Sequence, residues 1–266
     1  MLEAMGQEAV CAFPLVDRYM SLRMQVDLAS LGPGCVAVVE SPRRLRREHS
    51  YGFIHALWWV WLEDGRTAAS VPPGAGEGVR RVLEGVADRK AVFEPGIAAR
   101  LWAPANDALR KAGLKGTDRV LRDVMFACNA SLLRRHRCGD CRRLTDDSLP
   151  IAQGLEYPTH CFPNGIVYGV VADGVAVSLA HAHRPGVMED RVADLGVPGT
   201  VPACRRRGYA KTCVSAVVEH ITRAGGEARY GCDPANVASI ATARSVGFIP
   251  YGLSLVMAAP AQDLQP

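Results

Sequence analysis

Apolar positions along this chain fall into two kinds of run. From Gly52 to Leu62, GFIHALWWVWL is apolar almost throughout, and Glu63-Asp64-Gly65 separates it from RTAASV. Asp-Gly supplies the positive φ angles of a tight turn, so the pair predicts a β-hairpin. GIVYGVVADGVAVSLAHAH repeats the design around Asp173-Gly174. Between Tyr209 and Arg223 the pattern changes: Cys213, Val214, Val217, Val218 and Ile221 recur at helical spacing, and Gly225-Gly226 end the run.

Weaker signals fill the rest. Residues 3–30 read as mostly helical, CVAVVE (Cys35–Glu40) as a short strand, Ala98–Ala112 as a helix and Arg119–Cys128 as a strand. A strand ends at Leu144, and Asp146 and Asp147 suit the start of a helix. RVADLGV is a strand interrupted by Pro198-Gly199; EARYGC is another, followed by a helix from about Ala235 to Ser245 and a closing strand, FIPYGLSLVM.

From about residue 138 to 258 the order is β-α-β-β-β-α-β-α-β, an α/β arrangement with a largely antiparallel sheet. The division expected is a divergent N-terminal α/β domain at 1–130 and a second domain at 131–266. The hairpin, glycine-rich loop and helix in RTAASVPPGAGEGVRRVLEG echo the C-terminal order, as a degenerate copy of the same fold would. Gly74, Gly76 and Gly78 match neither a dinucleotide nor a Walker loop, so that loop reads as a plain connection. Trp58, Trp59 and Trp61 read as buried strand.

Composition narrows the function classes. With 48% hydrophobic and 22% charged residues among 266, the chain has the make-up of a globular protein with ample core. A net charge of +4 is too mild for a dedicated nucleic-acid binder. The runs Arg43, Arg44, Arg46, Arg47 and Arg134, Arg135, Arg137 read as solvated loops. The start shows no basic segment before an apolar run, and the most apolar stretch is about half the length of a spanning helix. The reading is cytoplasmic, without a membrane partner. Nine cysteines are then expected to be reduced. Cys138 and Cys141, in CGDC, have the spacing of a zinc or redox pair, with His136, His160 and Cys161 as conceivable further ligands. Without a second C-x-x-C the expectation is a plain turn and no metal.

The most informative segment is TVPACRRRGYAKT. A helix beginning at Gly208–Tyr209 would aim its free N–H groups and positive dipole end back over Arg205, Arg206 and Arg207, and Gly208 and Ala210 would let a phosphate approach the backbone. A merely solvated turn is the competing reading of the triplet alone.

Thr200, Pro202, Arg205, Arg206, Gly208 and Ala210 resemble the signature of the GNAT (general-control-related N-acetyltransferase) superfamily. Downstream, NVASIATARSVGF is similar to its closing helix, through Asn236, Ser239, Gly247 and Phe248. The resemblance covers about the C-terminal half and looks like branches with a divergent N-terminal domain. It implies an N-acyltransferase using acetyl-CoA as co-substrate, with a small-molecule or peptide amine as acceptor, and it admits a homodimer. The coenzyme would lie on Val197, Thr200, Arg205, Arg206, Arg207, Gly208, Tyr209, Ala210, Asn236 and Ser239, its pantetheine arm along the strand near Val197–Thr200.

Transfer by direct attack requires a group to take the ammonium proton and one to protonate the thiolate. Asp194 stands where many members place an acidic residue; a salt-bridge partner is its alternative role. His181 and His183, two apart on one strand face, are the next candidates, while Glu189 and Asp190 read as loop charges. The tyrosine that members often carry seven residues after the asparagine is Ala243 here, which leaves Tyr251, Tyr230, Ser239 or water as the acid. It also leaves open a silent acyl-CoA-binding module. Cys204 and Cys232 flank the coenzyme residues and read as packing.

Overall fold

The structure is a computed structural model, describing residues 12–47, 53–145, 149–156, 165–183, 191–196 and 199–260. The first half contains α1 (Pro14–Met24), β1 (Val36–Glu40), β2 (Phe53–Leu62), β3 (Thr67–Val71), α2 (Gly76–Glu84), α3 (Pro95–Lys111) and β4 (Val120–Cys128). The second contains β5 (Asp140–Leu144), β6 (Ile166–Ala172), β7 (Val175–His183), β8 (Val192–Leu195), β9 (Gly199–Thr200), α4 (Tyr209–Arg223), β10 (Glu227–Cys232), α5 (Val237–Val246) and β11 (Ile249–Pro260).

All strands join one mixed, mainly antiparallel sheet in the order β1-β3-β2-β11-β4-β10-β8-β7-β6-β5, with β9 against β7. The last strand, β11, lies between β2 and β4 and is antiparallel to both, while β4 pairs with β10. The sheet therefore runs unbroken past residue 130. Alternation along β4 sorts its side chains: Phe126 and Cys128 pack under α4 and α5, whereas Met125 and Ala127 face α1. The helices α2 and α3 cover the same face as α4 and α5, over a core that includes Trp59, Leu83, Leu101 and Leu255. Trp58 points the other way and donates from Nε1 to Ser254 Oγ at 3.0 Å.

Two carboxylates occupy helix starts. Glu227 Oε2, on β10, accepts the N–H groups of Leu15 (3.1 Å) and Val16 (2.9 Å), fixing α1 to the sheet. Burial pushes the Glu227 carboxyl up against those two bonds. Glu40, at the end of β1, accepts from Gly76 N–H at 2.8 Å, and the amides of Gly74 and Gly76 hold its carboxyl below the usual range. The glycine-rich loop of the first half is thus closed by the chain's own anion. Removing that anion (Glu40→Ala) is expected to speed hydrogen exchange at Gly74 and Gly76 by about fivefold, read by mass spectrometry, without altering ligand affinity elsewhere, since a net hydrogen bond contributes about 1 kcal/mol.

One expected helix is not found among the described residues. After Leu144 the described residues 149–156 form no helix: Ile151 makes a β-bridge with Ala176, and Ala152 N–H donates to Ala176 O at 2.9 Å. Pro150 and the left-handed Gly154 (φ 89°) suit this turn-rich path better than a helix. Asp146 and Asp147 lie outside the described residues. No helix among the described residues is long and apolar enough to cross a membrane.

Candidate functional site

The site begins at a break in the sheet. β8 runs parallel to β10 only as far as Leu195 opposite Tyr230. Beyond it the chain keeps β7 and leaves β10: Ala182 faces Leu195 and Leu179 faces Gly199. Gly231 and Cys232 are then paired with β4 alone. Gly199 and Thr200 of β9 line a cleft of about 610 Å³ between Gly199–Lys211 and the start of α5.

The cleft's rim is built from backbone. Arg206 (φ 62°) and Gly208 (φ 85°) are both left-handed, separated by one residue, a geometry that turns successive N–H groups toward one side. Gly208 caps α4 without any side-chain hydrogen bond, so the first-turn N–H groups of Tyr209, Ala210 and Lys211 are left for a ligand. Arg205 is steadied by a bond from Nε to Thr200 O at 3.2 Å. Across the cleft, Asn236 caps α5, its Oδ1 accepting from Ser239 N–H at 3.0 Å. Ser239 Oγ meets Tyr230 OH at 2.7 Å. Burial pushes the Tyr230 phenol up to about 12, so it keeps its proton at neutral pH.

Thr200, Arg205, Arg206, Gly208, Tyr209, Ala210, Asn236 and Ser239 all line this cleft. Arg207 does not; its carbonyl accepts from Cys138 Sγ at 3.1 Å. Val197 lies outside the described residues. Lys211 and Thr242 line the cleft although the sequence reading passed over them. Thr242 follows Asn236 and Ser239 at intervals of three, a helical spacing that could have revealed it.

The other candidates lie elsewhere. Asp194 is buried on the α1 face, where Oδ1 accepts from Arg229 Nη1 at 2.6 Å and Oδ2 from Tyr19 OH at 2.9 Å. Tyr19 also accepts from Arg23 Nη1 at 2.8 Å, so α1, β8 and β10 are tied by one polar chain. Tyr251 is likewise buried toward α1 and donates to Asp17 Oδ1 at 2.7 Å, with its phenol pushed far up by burial first and Asp17 second. It does not line the cleft. His181 sits beside the break: its ring covers Gly196, leaving no room for a Cβ there, and its carbonyl accepts from Gly196 N–H at 2.9 Å. The side chain of His183 and residues 189 and 190 lie outside the description.

Asp123, on β4, was missed. It lies beside Gly231 on the same face as Asp194, and burial pushes its carboxyl up against the pull of Arg229. Nothing in its neighbourhood of sequence, LRDVMF, marks it; only the pairing of β4 with β10 brings it to the break. Ala243, on the buried side of α5, is fully buried in the core with Phe248. Among the described residues no group of three or more His, Cys, Asp or Glu could hold a metal ion.

The cleft is thus framed by a strand pair that parts and by a helix start without a side-chain cap. Residues 140–248 match the model of the acetyltransferase (GNAT) family, and this part of the chain is a GNAT domain. Solved structures similar to the chain include a GNAT-family acetyltransferase from Novosphingobium aromaticivorans, at 17% identity and a TM-score of 0.45, covering 54% of this chain and 66% of that one. A GCN5-related N-acetyltransferase from Kribbella flavida has 16% identity and a TM-score of 0.42, covering 65% and 80%. A GNAT-family acetyltransferase from Colwellia psychrerythraea has 15% identity and a TM-score of 0.42, covering 56% and 61%. The match thus spans just under two thirds of the first and third of these chains. No curated protein sequence matches this chain.

Proposed function

We propose that the protein is an N-acyltransferase that uses acetyl-CoA and transfers the acetyl group directly to a primary amine of a small molecule or peptide. The observation that carries this reading is the cradle at Arg205–Lys211, where left-handed backbone, a helix start and arginines converge on one cleft. The coenzyme's pyrophosphate would take those N–H groups, with Arg205 and Arg206 adding charge-assisted bonds. The pantetheine arm would follow β9 into the break, bringing the thioester between Gly196 and Gly231.

There the acceptor nitrogen attacks the carbonyl carbon, and the carbon–sulfur bond breaks as coenzyme A leaves. Ser239 is placed to give the thiolate a proton and to regain it from Tyr230. That pair substitutes for the tyrosine that Ala243 replaces. On the α1 face, His181 and Asp123 flank the break and are the groups to take the ammonium proton; a carboxyl raised by burial is the better base near neutral pH. Asp194, with both oxygens engaged, anchors the sheet in this reading.

Thiol release from acetyl-CoA, followed with a chromogenic disulfide across a panel of primary amines, tests the proposal. Tyr230→Phe is expected to lower kcat by about tenfold or more while coenzyme A affinity stays within about twofold. Arg205→Ala is expected to weaken coenzyme A binding by about tenfold, read by calorimetry, because one charged hydrogen bond contributes about 1.5 kcal/mol. A second reading, a silent acyl-CoA-binding module, is favoured by the buried Ala243. Tight coenzyme binding without thiol release for any amine in the panel would decide for it.

A further inference from the structure

The CGDC turn takes no part in the reaction described above, yet it is built against the coenzyme cleft. Cys138 touches the cradle through Arg207 O. Cys141, on β5, packs against the core cluster that holds Cys213 of α4, and each thiol shifts the other's titration. Cys213 is fully buried, and its sulfur also contacts Ser178 O at 3.6 Å and Ser178 Oγ at 3.8 Å. Ser178 in turn holds the cleft: its hydroxyl donates to Gly199 O at 3.0 Å and meets Thr200 Oγ1 at 2.8 Å, and both residues line the cleft.

Cys141 has a second neighbour, a polar pocket of about 330 Å³ on the outer side of α4. Its lining includes Cys141 itself, His136, Arg137, Tyr168 and His220. A small polar oxidant therefore has a route to one sulfur of the pair and not to the other, which is sealed in the core. The geometry points to Cys141 and Cys213 as an oxidation site, where a hydroperoxide entering the pocket beside α4 converts the two thiols to a disulfide that loosens the coenzyme cleft. The oxidation stands on the thiol pair alone; its effect on coenzyme A rests on the acyltransferase reading.

The chemistry balances with hydrogen peroxide as oxidant. Cys141 thiolate attacks one peroxide oxygen, the oxygen–oxygen bond breaks, and the departing hydroxide takes up the thiol proton as water. The Cys213 sulfur then attacks the sulfenic sulfur, the sulfur–sulfur bond forms, and the hydroxyl leaves with the Cys213 proton as a second water. Two thiols and one peroxide give one disulfide and two waters. The Cys213 thiol holds Cys141 below the usual thiol range, against burial, whereas Cys141 and then burial push Cys213 up. The half-buried partner, Cys141, is thus the nucleophile, in keeping with its place at the pocket.

Forming a bond of about 2.05 Å to Cys141 draws the Cys213 sulfur toward β5. It gives up Ser178, which also holds Gly199 and Thr200. Linkage makes the effect reciprocal: if the disulfide weakens coenzyme binding, bound coenzyme slows disulfide formation.

The test uses the full-length protein treated with hydrogen peroxide, then denatured, alkylated with N-ethylmaleimide and digested for peptide mass spectrometry. The expected result is a dithiothreitol-reversible crosslink between the peptides carrying Cys141 and Cys213. Calorimetry should show coenzyme A binding the oxidised protein about threefold or more weaker than the reduced one, and saturating coenzyme A should slow the crosslink. Cys213→Ala should leave Cys141 as a sulfenic acid that dimedone captures, and Cys141→Ser should leave Cys213 untouched by peroxide. Full alkylation of both residues after peroxide, or a bond from Cys141 to Cys138, overturns the site. A crosslink with unchanged coenzyme affinity overturns the coupling. If the reduced protein binds no coenzyme A, the acyltransferase reading fails and the crosslink result still stands or falls by itself.

Discussion

Gly208→Asp is expected to abolish coenzyme A binding, by more than about 100-fold, and to leave the protein folded. Gly208 is the N-cap of α4, in a left-handed conformation that aspartate tolerates better than most residues. Aspartate is also a favourable N-cap, since its carboxylate accepts first-turn N–H groups and suits the dipole. In this site that is the lesion: the carboxylate occupies the donors a pyrophosphate would take and adds a repelling charge. The chain already contains the same arrangement, because Glu40 closes the glycine-rich loop at Gly74 and Gly76. Gly208→Ala separates the causes. It strains the left-handed backbone by about 1 kcal/mol but brings no anion, so coenzyme A should still bind, within about tenfold of the original protein. Calorimetry and thermal unfolding on both variants check the pair; equal affinities in Gly208→Asp and Gly208→Ala would remove the cradle from the account.

The second large effect concerns Arg229 and Asp194. Arg229→Ala leaves the Asp194 carboxylate buried with only Tyr19 against it, and breaking a buried ion pair costs about 3–5 kcal/mol. For a protein of this size the midpoint of thermal unfolding should fall by roughly 6–20 °C. Replacing both partners by apolar residues, Asp194→Leu with Arg229→Met, should recover part of the loss, because neither charge then stays buried alone. A base with no structural duty behaves differently: its loss costs turnover and not the melting temperature. If Arg229→Ala and Asp194→Asn melt like the original protein, Asp194 does not anchor α1 and β8.

The residues that line the cleft were legible in the sequence because they are local. Gly208, the arginines and the helical run after Tyr209 lie within one stretch, and a cradle made of backbone depends on few distant residues. Asn236 and Ser239 follow the same logic on α5. Hairpins at Asp64-Gly65 and Asp173-Gly174 were likewise announced by their turn residues, and β2–β3 and β6–β7 formed there. The surroundings of the acid–base candidates were not legible. Asp194 is an isolated acidic letter in VADL, and only the parallel register of β8 with β10 shows that Arg229 stands beside it. Tyr251 looked available as a lone tyrosine, yet a bulge near Pro250 lets β11 bury it against Asp17, more than two hundred residues earlier in the chain. Asp123 reaches the break for the converse reason, through pairing of β4 with β10 across the expected domain boundary. Long-range strand pairing leaves no local pattern to read.

The central claim is that the cleft between α4 and α5 holds acyl-coenzyme A. Thermal unfolding of the full-length protein with and without acetyl-CoA tests it most directly. At a ligand concentration of about 100 times Kd the native state gains about 2.7 kcal/mol, a rise in midpoint of roughly 5–10 °C for a chain of this size. The account predicts that rise with the original protein and none with Gly208→Asp. A midpoint unchanged by millimolar acetyl-CoA contradicts it.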